Sequence, residues 1–343
     1  MHNYLKKYHL RKIVAREKLD KLSIKKAIAK MNQYGKERKA FFFFIDYEMR
    51  MPLVYGLEEI PEGIQYSFKN FASSRLNPIS KEKIRLYVEE ISFQHYKKAF
   101  DKVQAHLKRG DSYLLNLTMK TKIGLSHSLE EIYKQSAAPY KVLIPNKLVC
   151  FSPEAFVCIS KNKIQSFPMK GTIDAAIPNA KDLLLEDIKE SCEHNTIVDL
   201  IRNDLSMVAK KVRVTKFKYI EEIQTNNKNL LQMSSEISGE LEENYQQRIG
   251  DILFRLLPAG SISGAPKEKT VEIIKKAEIL PRKYYTGVFG FFDGKDLCSA
   301  VAIRFIEKDK DNYYYRSGGG ITTLSECEKE FQELKDKIYV PTI

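Results

Sequence analysis

The sequence predicts an α+β fold built on antiparallel sheets, and three observations carry that expectation. Strand-like runs come as hairpins joined by polar or glycine-containing turns. Helical patterns fall between those hairpins instead of alternating with single strands. The 343 residues contain no internal repeat, low-complexity segment or clear linker. A basic N-terminal extension (residues 1–40) and one compact catalytic domain (residues 41–343) are therefore expected.

Taken in order, Gly35 breaks the chain before residues 40–46, whose four consecutive phenylalanines read as a buried strand. Residues 81–108 predict a helix, because Ile84, Tyr87, Val88 and Ile91, and then Tyr96, Phe100, Val103 and Leu107, recur at three- and four-residue spacings; Gly110-Asp111 stops it. A strand follows over 113–122. Residues 147–172 predict a hairpin about the polar turn 161–163, which would place Glu154 and Lys170 at the ends of adjoining strands. Residues 182–203 look helical, 224–229 form a polar connection, and 232–241 read as a strand. The small-residue loop 258–267 runs into a helix over 268–280, with Pro266 suited to its first turn. A further hairpin pattern spans 285–316, turning at Asp293-Gly294 and at 309–312. A last helix closes the chain, its start placed near Ser325 by the capping-box pattern Ser325-Glu326-Cys327-Glu328.

Charge and composition narrow the function classes. The net charge is +13, but residues 1–40 hold 13 Lys and Arg against 3 Asp and Glu, so the body of the chain is close to neutral. No basic stripe crosses the body, and the head lacks the interleaved aromatics of a base-stacking surface. The head reads as a solvated, partly helical extension. A basic nucleic-acid-binding protein on a degenerate enzyme scaffold is the rival of a different class, and no specific nucleic-acid partner is expected. No apolar run reaches the roughly 18 residues of a membrane span, and the basic start of the chain lacks the apolar core of a secretory signal. Five cysteines share no metal-ligand spacing and fit reduced, mostly buried thiols in a cytoplasmic protein.

The candidate chemistry is concentrated in a few blocks. Lys170, in Pro168-Met169-Lys170-Gly171-Thr172, could act as a nucleophile, and Glu154, in Ser152-Pro153-Glu154, as a proton donor. Glu190 and Glu193 fall at i and i+3 on one helix, as do Glu330 and Glu333 on the closing helix, with Lys337 one turn further. Two such acidic pairs could converge on one Mg2+, which takes one or two protein carboxylates and completes its shell with water and substrate oxygens. The Ser263-Gly264-Ala265-Pro266-Lys267 loop and the Gly318-Gly319-Gly320 run offer exposed backbone amides to an anion.

In this order and spacing the blocks resemble the chorismate-utilising enzymes, over residues from about 41 to the C-terminus. Glu193-His194 leading into Val198 to Leu205, the loop at Ser263 to Lys267, Ala302-Ile303-Arg304, and Gly320-Ile321 followed by Glu330 and Glu333 carry the resemblance. It implies two large antiparallel β-sheets facing each other with helices on the outside, chorismate as substrate and Mg2+ as cofactor. It further implies Glu193 and Glu333 as direct metal ligands, with Glu190 and Glu330 acting through water. Ser261, Tyr285, Arg304, Lys337 and the amides of Gly318, Gly319 and Gly320 would bind substrate, and Glu154 would protonate the departing C4 hydroxyl.

Within that family the lysine at position 170, where anthranilate, isochorismate and salicylate enzymes usually carry alanine, is similar to the aminodeoxychorismate synthase branch. The implied activity is amination of chorismate at C4, on the route to 4-aminobenzoate and folate, with anthranilate synthase component I as the alternative. No glutaminase block is present, so a separate glutamine amidotransferase subunit would supply ammonia, and a downstream aminodeoxychorismate lyase would act on the product. Leu114 and Gln232 depart from the glutamine or lysine and the histidine of many relatives. The short polar head leaves no place for a tryptophan feedback pocket.

Overall fold

The computed structural model describes residues 19–69, 71–73, 82–223 and 229–342. The first part of the basic head and most of the 224–229 connection lie outside these residues. Helix α1 (Ile24–Lys36) precedes strands β1 (Phe41–Ile45) and β2 (Leu53–Gly56). Short strands β3 (Gln65–Phe68), β4 (Phe71–Ala72) and β5 (Leu86–Val88) lead to α2 (Phe93–Lys108) and the long β6 (Leu114–Leu125). After α3 (Leu129–Gln135) come β7 (Tyr140–Ile144), β8 (Leu148–Ser152), β9 (Ala155–Ser160), β10 (Lys163–Ser166) and β11 (Met169–Asp174). Helices α4 (Ala180–Glu186) and α5 (Ile188–Ser206) connect to β12 (Lys210–Ile223) and β13 (Leu230–Glu240). Then follow α6 (Ile249–Leu256), α7 (Gly260–Ser263), β14 (Gly264–Ala265), α8 (Lys267–Ala277), β15 (Val288–Phe292), β16 (Leu297–Val301), β17 (Phe305–Asp309), β18 (Asn312–Ile321) and α9 (Cys327–Asp336).

The strands form two nine-stranded antiparallel sheets. One has the order β11-β13-β10-β9-β16-β15-β1-β2, with β12 also paired to β13; the other has the order β14-β6-β18-β17-β8-β7-β3-β4, with β5 also paired to β6. The four phenylalanines of β1 show how the sheets stack. Side chains alternate across a strand, so Phe42 and Phe44 enter the core between the sheets with Tyr66, Val142 and Phe289, while Phe41 and Phe43 pack with the helices α1, α5 and α6 behind the first sheet. All four are fully buried, and each such burial is worth about 1.5–3 kcal/mol. Helices α2, α8 and α9 cover part of the second sheet through Leu115, Leu117 and Ile321, and α3 covers another part through Ile123, Val149 and Tyr315.

Several expectations are corrected. The 81–108 helix is only its second half: Ser92 caps α2 by accepting from the His95 amide, and Leu86–Val88 instead pair with the edge of β6. The 182–203 helix is two helices, broken at Asp187, whose extended ψ of 110° ends α4 and whose carboxylate caps α5. Gly35 does not break the chain. It lies inside α1, where an added Cβ would meet the Gln246 carbonyl at 1.8 Å. Helix α1 is accordingly not a solvated segment, since Ala27, Met31 and Tyr34 belong to the core. Pro266 is the N-cap residue of α8 and not part of its first turn. Glu326 occupies the N-cap position of α9 without a side-chain capping bond, and Ser325 accepts from the Thr322 amide. The cysteines divide as well, with Cys150 and Cys327 buried, Cys158 and Cys298 partly buried, and Cys192 exposed.

Candidate active site

Two chain crossings between the sheets define one wall of the site. The chain leaves the second sheet at the end of β8 and enters the first at β9, and Glu154 sits in that corner. It returns from β16 to β17 through a second corner that holds Arg304. The two corners are tied together: the Val301 amide donates to the Glu154 carbonyl at 3.1 Å, and the Phe151 amide to the Arg304 carbonyl at 3.1 Å. Burial pushes the Glu154 carboxyl above its ordinary range, while the Ser261 hydroxyl, which donates to it, and the nearby Lys170, Arg304 and Lys337 oppose that shift.

Lys170 is not on the strand beside Glu154. β10 and β11 share one edge of β13, separated by Phe167-Pro168, so Lys170 lies on the broken continuation of the β9–β10 hairpin. A bulge follows it at Gly171, whose φ of +70° suits glycine. An added Cβ there would meet Leu184 at 2.8 Å and Glu190 at 3.3 Å, so the glycine lets α5 approach the lysine strand. Lys170 Nζ is 3.4 Å from Glu193 Oε2. Burial acts to lower its pKa, but the Glu193, Glu190, Glu154 and Glu333 carboxylates prevail and hold it raised.

The acidic wall comes from α5 and α9. His194, next to Glu193, is fully buried, with its Nε2 2.7 Å from the Ser235 hydroxyl of β13. Burial pushes its pKa down to about 4, so the neutral ring pins α5 to the sheet. Glu193 and Glu330 are buried, and each has one oxygen without a hydrogen-bond partner among the described residues, Glu193 Oε1 and Glu330 Oε2. Lys189 stands between them, 3.6 Å from Glu193 and 2.9 Å from Glu330. Burial raises the Glu190 carboxyl, reinforced by Glu193. Glu333 is held low despite burial because Lys337 pairs with it at 2.6 Å.

The floor is β18. An added Cβ on Gly320 would lie 3.1 Å from Lys170 Nζ, from Glu193 Oε2 and from Leu114 Cδ1; one on Gly319 would lie 3.5 Å from Glu330 and Glu333 and 3.6 Å from Lys337 Nζ. The bare glycines therefore leave the space in which these groups converge. Gly318 accepts from Lys337 Nζ at 3.0 Å. Burial lowers the Lys337 pKa and pushes Tyr285 up to about 12. Arg304 Nε is buried without a hydrogen-bond partner among the described residues, with the guanidinium 5.2 Å from the Tyr339 ring.

Lys170, Glu154, Arg304, Lys337 and the carboxylates of α5 and α9 thus lie within electrostatic reach of one another, and Tyr285 stands beside Arg304. Two positioning groups were not singled out from the sequence. Buried Arg282 donates to Ile262 O at 2.8 Å and Asn116 O at 2.6 Å and pairs with Glu278, fixing the loop that carries Ser261. Asp204 pairs with Lys267 at 2.7 Å across the same loop. Arg282 follows a proline outside any periodic pattern, so nothing in the sequence marks it.

The donor set tests Mg2+ plainly. Among the described residues no three His, Cys, Asp or Glu side chains stand together as a ready metal cage. Mg2+ does not require one, and two buried carboxylates with open oxygens above side-chain-free glycines fit its demands. By hydrogen bonding, Glu193 and Glu330 are the open pair, whereas Glu333 is engaged by Lys337.

Comparison with known proteins agrees with this architecture. A family model described as chorismate binding enzyme matches residues 56–342. An uncharacterised PabA-like protein of Pasteurella multocida is 52% identical over 322 residues, covering 93% of this chain and 99% of that protein. Aminodeoxychorismate synthase component 1 of Bacillus subtilis is 30% identical over 259 residues, covering 71% of this chain and 54% of that protein. Among solved structures, a protein described as a 2,3-dihydroxybenzoate-specific isochorismate synthase of Bacillus anthracis superposes with a TM-score of 0.69 at 20% identity, over 92% of this chain and 86% of that one.

Proposed function

The chain belongs to the family of chorismate-binding enzymes, and from that premise we propose that it is an aminodeoxychorismate synthase component I, converting chorismate and ammonia to 4-amino-4-deoxychorismate. Identity of 30% to one such enzyme supports the family and leaves the branch to the site residues. The observation that carries the branch is the position of Lys170, whose amine reaches the centre of the site above Gly320 beside Leu114.

The geometry supports the following chemistry. Arg304, whose Nε has no hydrogen-bond partner among the described residues, and Lys337 would face incoming carboxylates, with Tyr285 beside Arg304. Glu190, Glu193, Glu330 and Glu333 would together hold Mg2+, with Glu193 and Glu330 offering the open oxygens, and the ion when bound would supply a positive anchor for the substrate's ring carboxylate. Lys170 adds to C2, both ring double bonds shift towards C4, and the C4–O bond breaks as Glu154 delivers its proton to the leaving hydroxyl, which departs as water. Ammonia then adds at C4 and returns both double bonds to their first positions. The C2–N bond breaks, Lys170 is released, and the proton lost by ammonia restores Glu154. Burial keeps Glu154 protonated above the usual carboxylate range, as a proton donor needs.

Lys170 must first lose its own proton. An unshifted lysine at pH 7 costs about 4.6 kcal/mol to deprotonate, and the surrounding carboxylates add to that cost. A cation held by Glu190, Glu193, Glu330 and Glu333 would offset those carboxylates and so reduce the cost. Leu114 places a methyl group where a polar side chain would hold water, which favours an amine over water as nucleophile.

The test is to incubate the protein with chorismate, Mg2+ and ammonium, with and without an added aminodeoxychorismate lyase. Formation of 4-aminobenzoate only when the lyase is present supports the proposal. Fluorescent anthranilate formed without the lyase assigns the chain to the anthranilate branch instead. A separate amidotransferase subunit as ammonia donor is tested by replacing ammonium with glutamine plus that subunit.

A further inference from the structure

Away from the acidic wall, Cys158 of β9 and Cys298 of β16 are direct partners across neighbouring antiparallel strands. Their sulfurs are 3.7 Å apart, and both side chains are partly buried, unlike the enclosed Cys150 and Cys327. Directly opposed Cα atoms in an antiparallel pair lie about 4.5–5.5 Å apart, inside the roughly 4.4–6.8 Å that a disulfide spans. Bringing the sulfurs to a bonded distance of about 2 Å therefore needs side-chain rotation and no movement of the strands.

The pair is also chemically unequal. The two sulfurs share one S–H···S contact in which either thiol can donate, and that contact favours the thiolate on one sulfur and the thiol on the other. Lys69 favours the thiolate at both positions. When Cys158 attacks, Cys298 is the resolving thiol. Neither takes part in the chemistry proposed above. Their ionisation acts on Tyr140 of the inter-sheet core and not on the acidic wall.

We infer that Cys158 and Cys298 form a dithiol modification site that reacts with small disulfides of the glutathione class to close a cross-strand bridge. Cys158 thiolate attacks one sulfur of the disulfide, forming a mixed disulfide and expelling one thiolate, which takes up the Cys158 proton. Cys298, deprotonated, then attacks the Cys158 sulfur and expels the second thiol, which takes up the Cys298 proton. The two protein thiols are oxidised, and the small disulfide is reduced to two thiols.

The experiment uses the full chain carrying Cys192→Ser, which removes the exposed thiol that could react independently. The reduced protein is treated with oxidised glutathione, remaining thiols are blocked with N-ethylmaleimide, and peptides are read by mass spectrometry. A 158–298 cross-linked peptide, no retained glutathione and recovery by dithiothreitol are expected. A Cys298→Ser variant should stop with glutathione on Cys158. Overturning results are both cysteines alkylated under conditions that oxidise free dithiothreitol, or glutathione retained on Cys158 while Cys298 stays free.

Discussion

The Ser261 hydroxyl donates a hydrogen bond to the Glu154 carboxylate, and through it the α7 loop controls the ionisation of the group proposed as proton donor. Burial raises the Glu154 pKa and the Ser261 bond, which favours the charged form, opposes it. A proton donor fails as pH rises through its pKa, so Glu154 contributes an alkaline limb to the pH–rate profile. Removing the bond raises that pKa further. Ser261→Ala should therefore move the limb to higher pH. A limb that stays in place or moves down would show that Glu154 is not the acid being read. Glu154→Gln should lower kcat by about 10²–10⁴-fold.

Lys170→Ala should abolish the coupled formation of 4-aminobenzoate while the variant still binds Mg2+ by calorimetry. Lys170→Arg should be equally inactive, because a guanidinium keeps the charge but is not a nucleophile at neutral pH. Unchanged turnover in either variant rules out the covalent route.

Lys189 spans Glu193 and Glu330 and so occupies with its ammonium the charge balance a metal ion would supply. Lys189→Gln should tighten Mg2+ binding by about tenfold or more, equivalent to about 1.4 kcal/mol. Without metal it should lower the melting temperature, because two buried carboxylates lose their counter-ion. Titration calorimetry and melting with EDTA measure the two effects separately. Weaker binding in the variant would mean that Lys189 assists the metal instead of competing with it.

Gly35→Ala tests whether α1 is integral to the fold. The new methyl group meets the Gln246 backbone at 1.8 Å, and an overpacked position costs typically 1–3 kcal/mol. A lower urea midpoint with an unchanged slope is expected. An unaltered midpoint would mean that α1 is only loosely attached.

Lys141 is buried, and its ammonium donates to the Tyr133 carbonyl at 3.0 Å and the Ser136 carbonyl at 2.7 Å. Burial pushes its pKa down to about 8. Between that value and the ordinary lysine pKa the unfolded chain binds more protons than the folded one, so this residue makes stability rise with pH from about 8 to about 10.4. Below pH 8 both states are protonated and the penalty for burying the charge is constant. Lys141→Met should abolish this rise relative to the parent protein, as read by urea denaturation at pH 8 and pH 10. Parallel pH dependences in the two proteins would place the proton elsewhere.

Much of this architecture is legible in the sequence where one periodicity dominates. The phenylalanines of β1 and the Tyr96, Phe100, Val103 and Leu107 stripe of α2 are buried as their spacing requires. The reading fails at Tyr87 and Val88, which continue the helical spacing yet are exposed on a strand, because the edge of β6 offers hydrogen bonds that local periodicity does not register. It fails again at Gly35, whose purpose is set by Gln246, far along the chain. The candidate site residues can be named from the sequence by type and order. Their relations cannot: the Lys189 contact to Glu330 joins two helices far apart in sequence, and the tied corners at Glu154 and Arg304 depend on where the chain changes sheets.

Glu330 and Glu333 are both carried by α9, a helix of 10 residues whose Phe331 packs edge-on against Phe93 of α2 at 5.2 Å. Both sheets are complete without it. Short peripheral elements open locally at less cost than the whole molecule unfolds, so mild denaturation reaches this helix before it reaches the strands. Loss of activity is therefore expected to precede loss of the sheets, in a sample that keeps its full β-sheet signal after half of its acidic wall has gone.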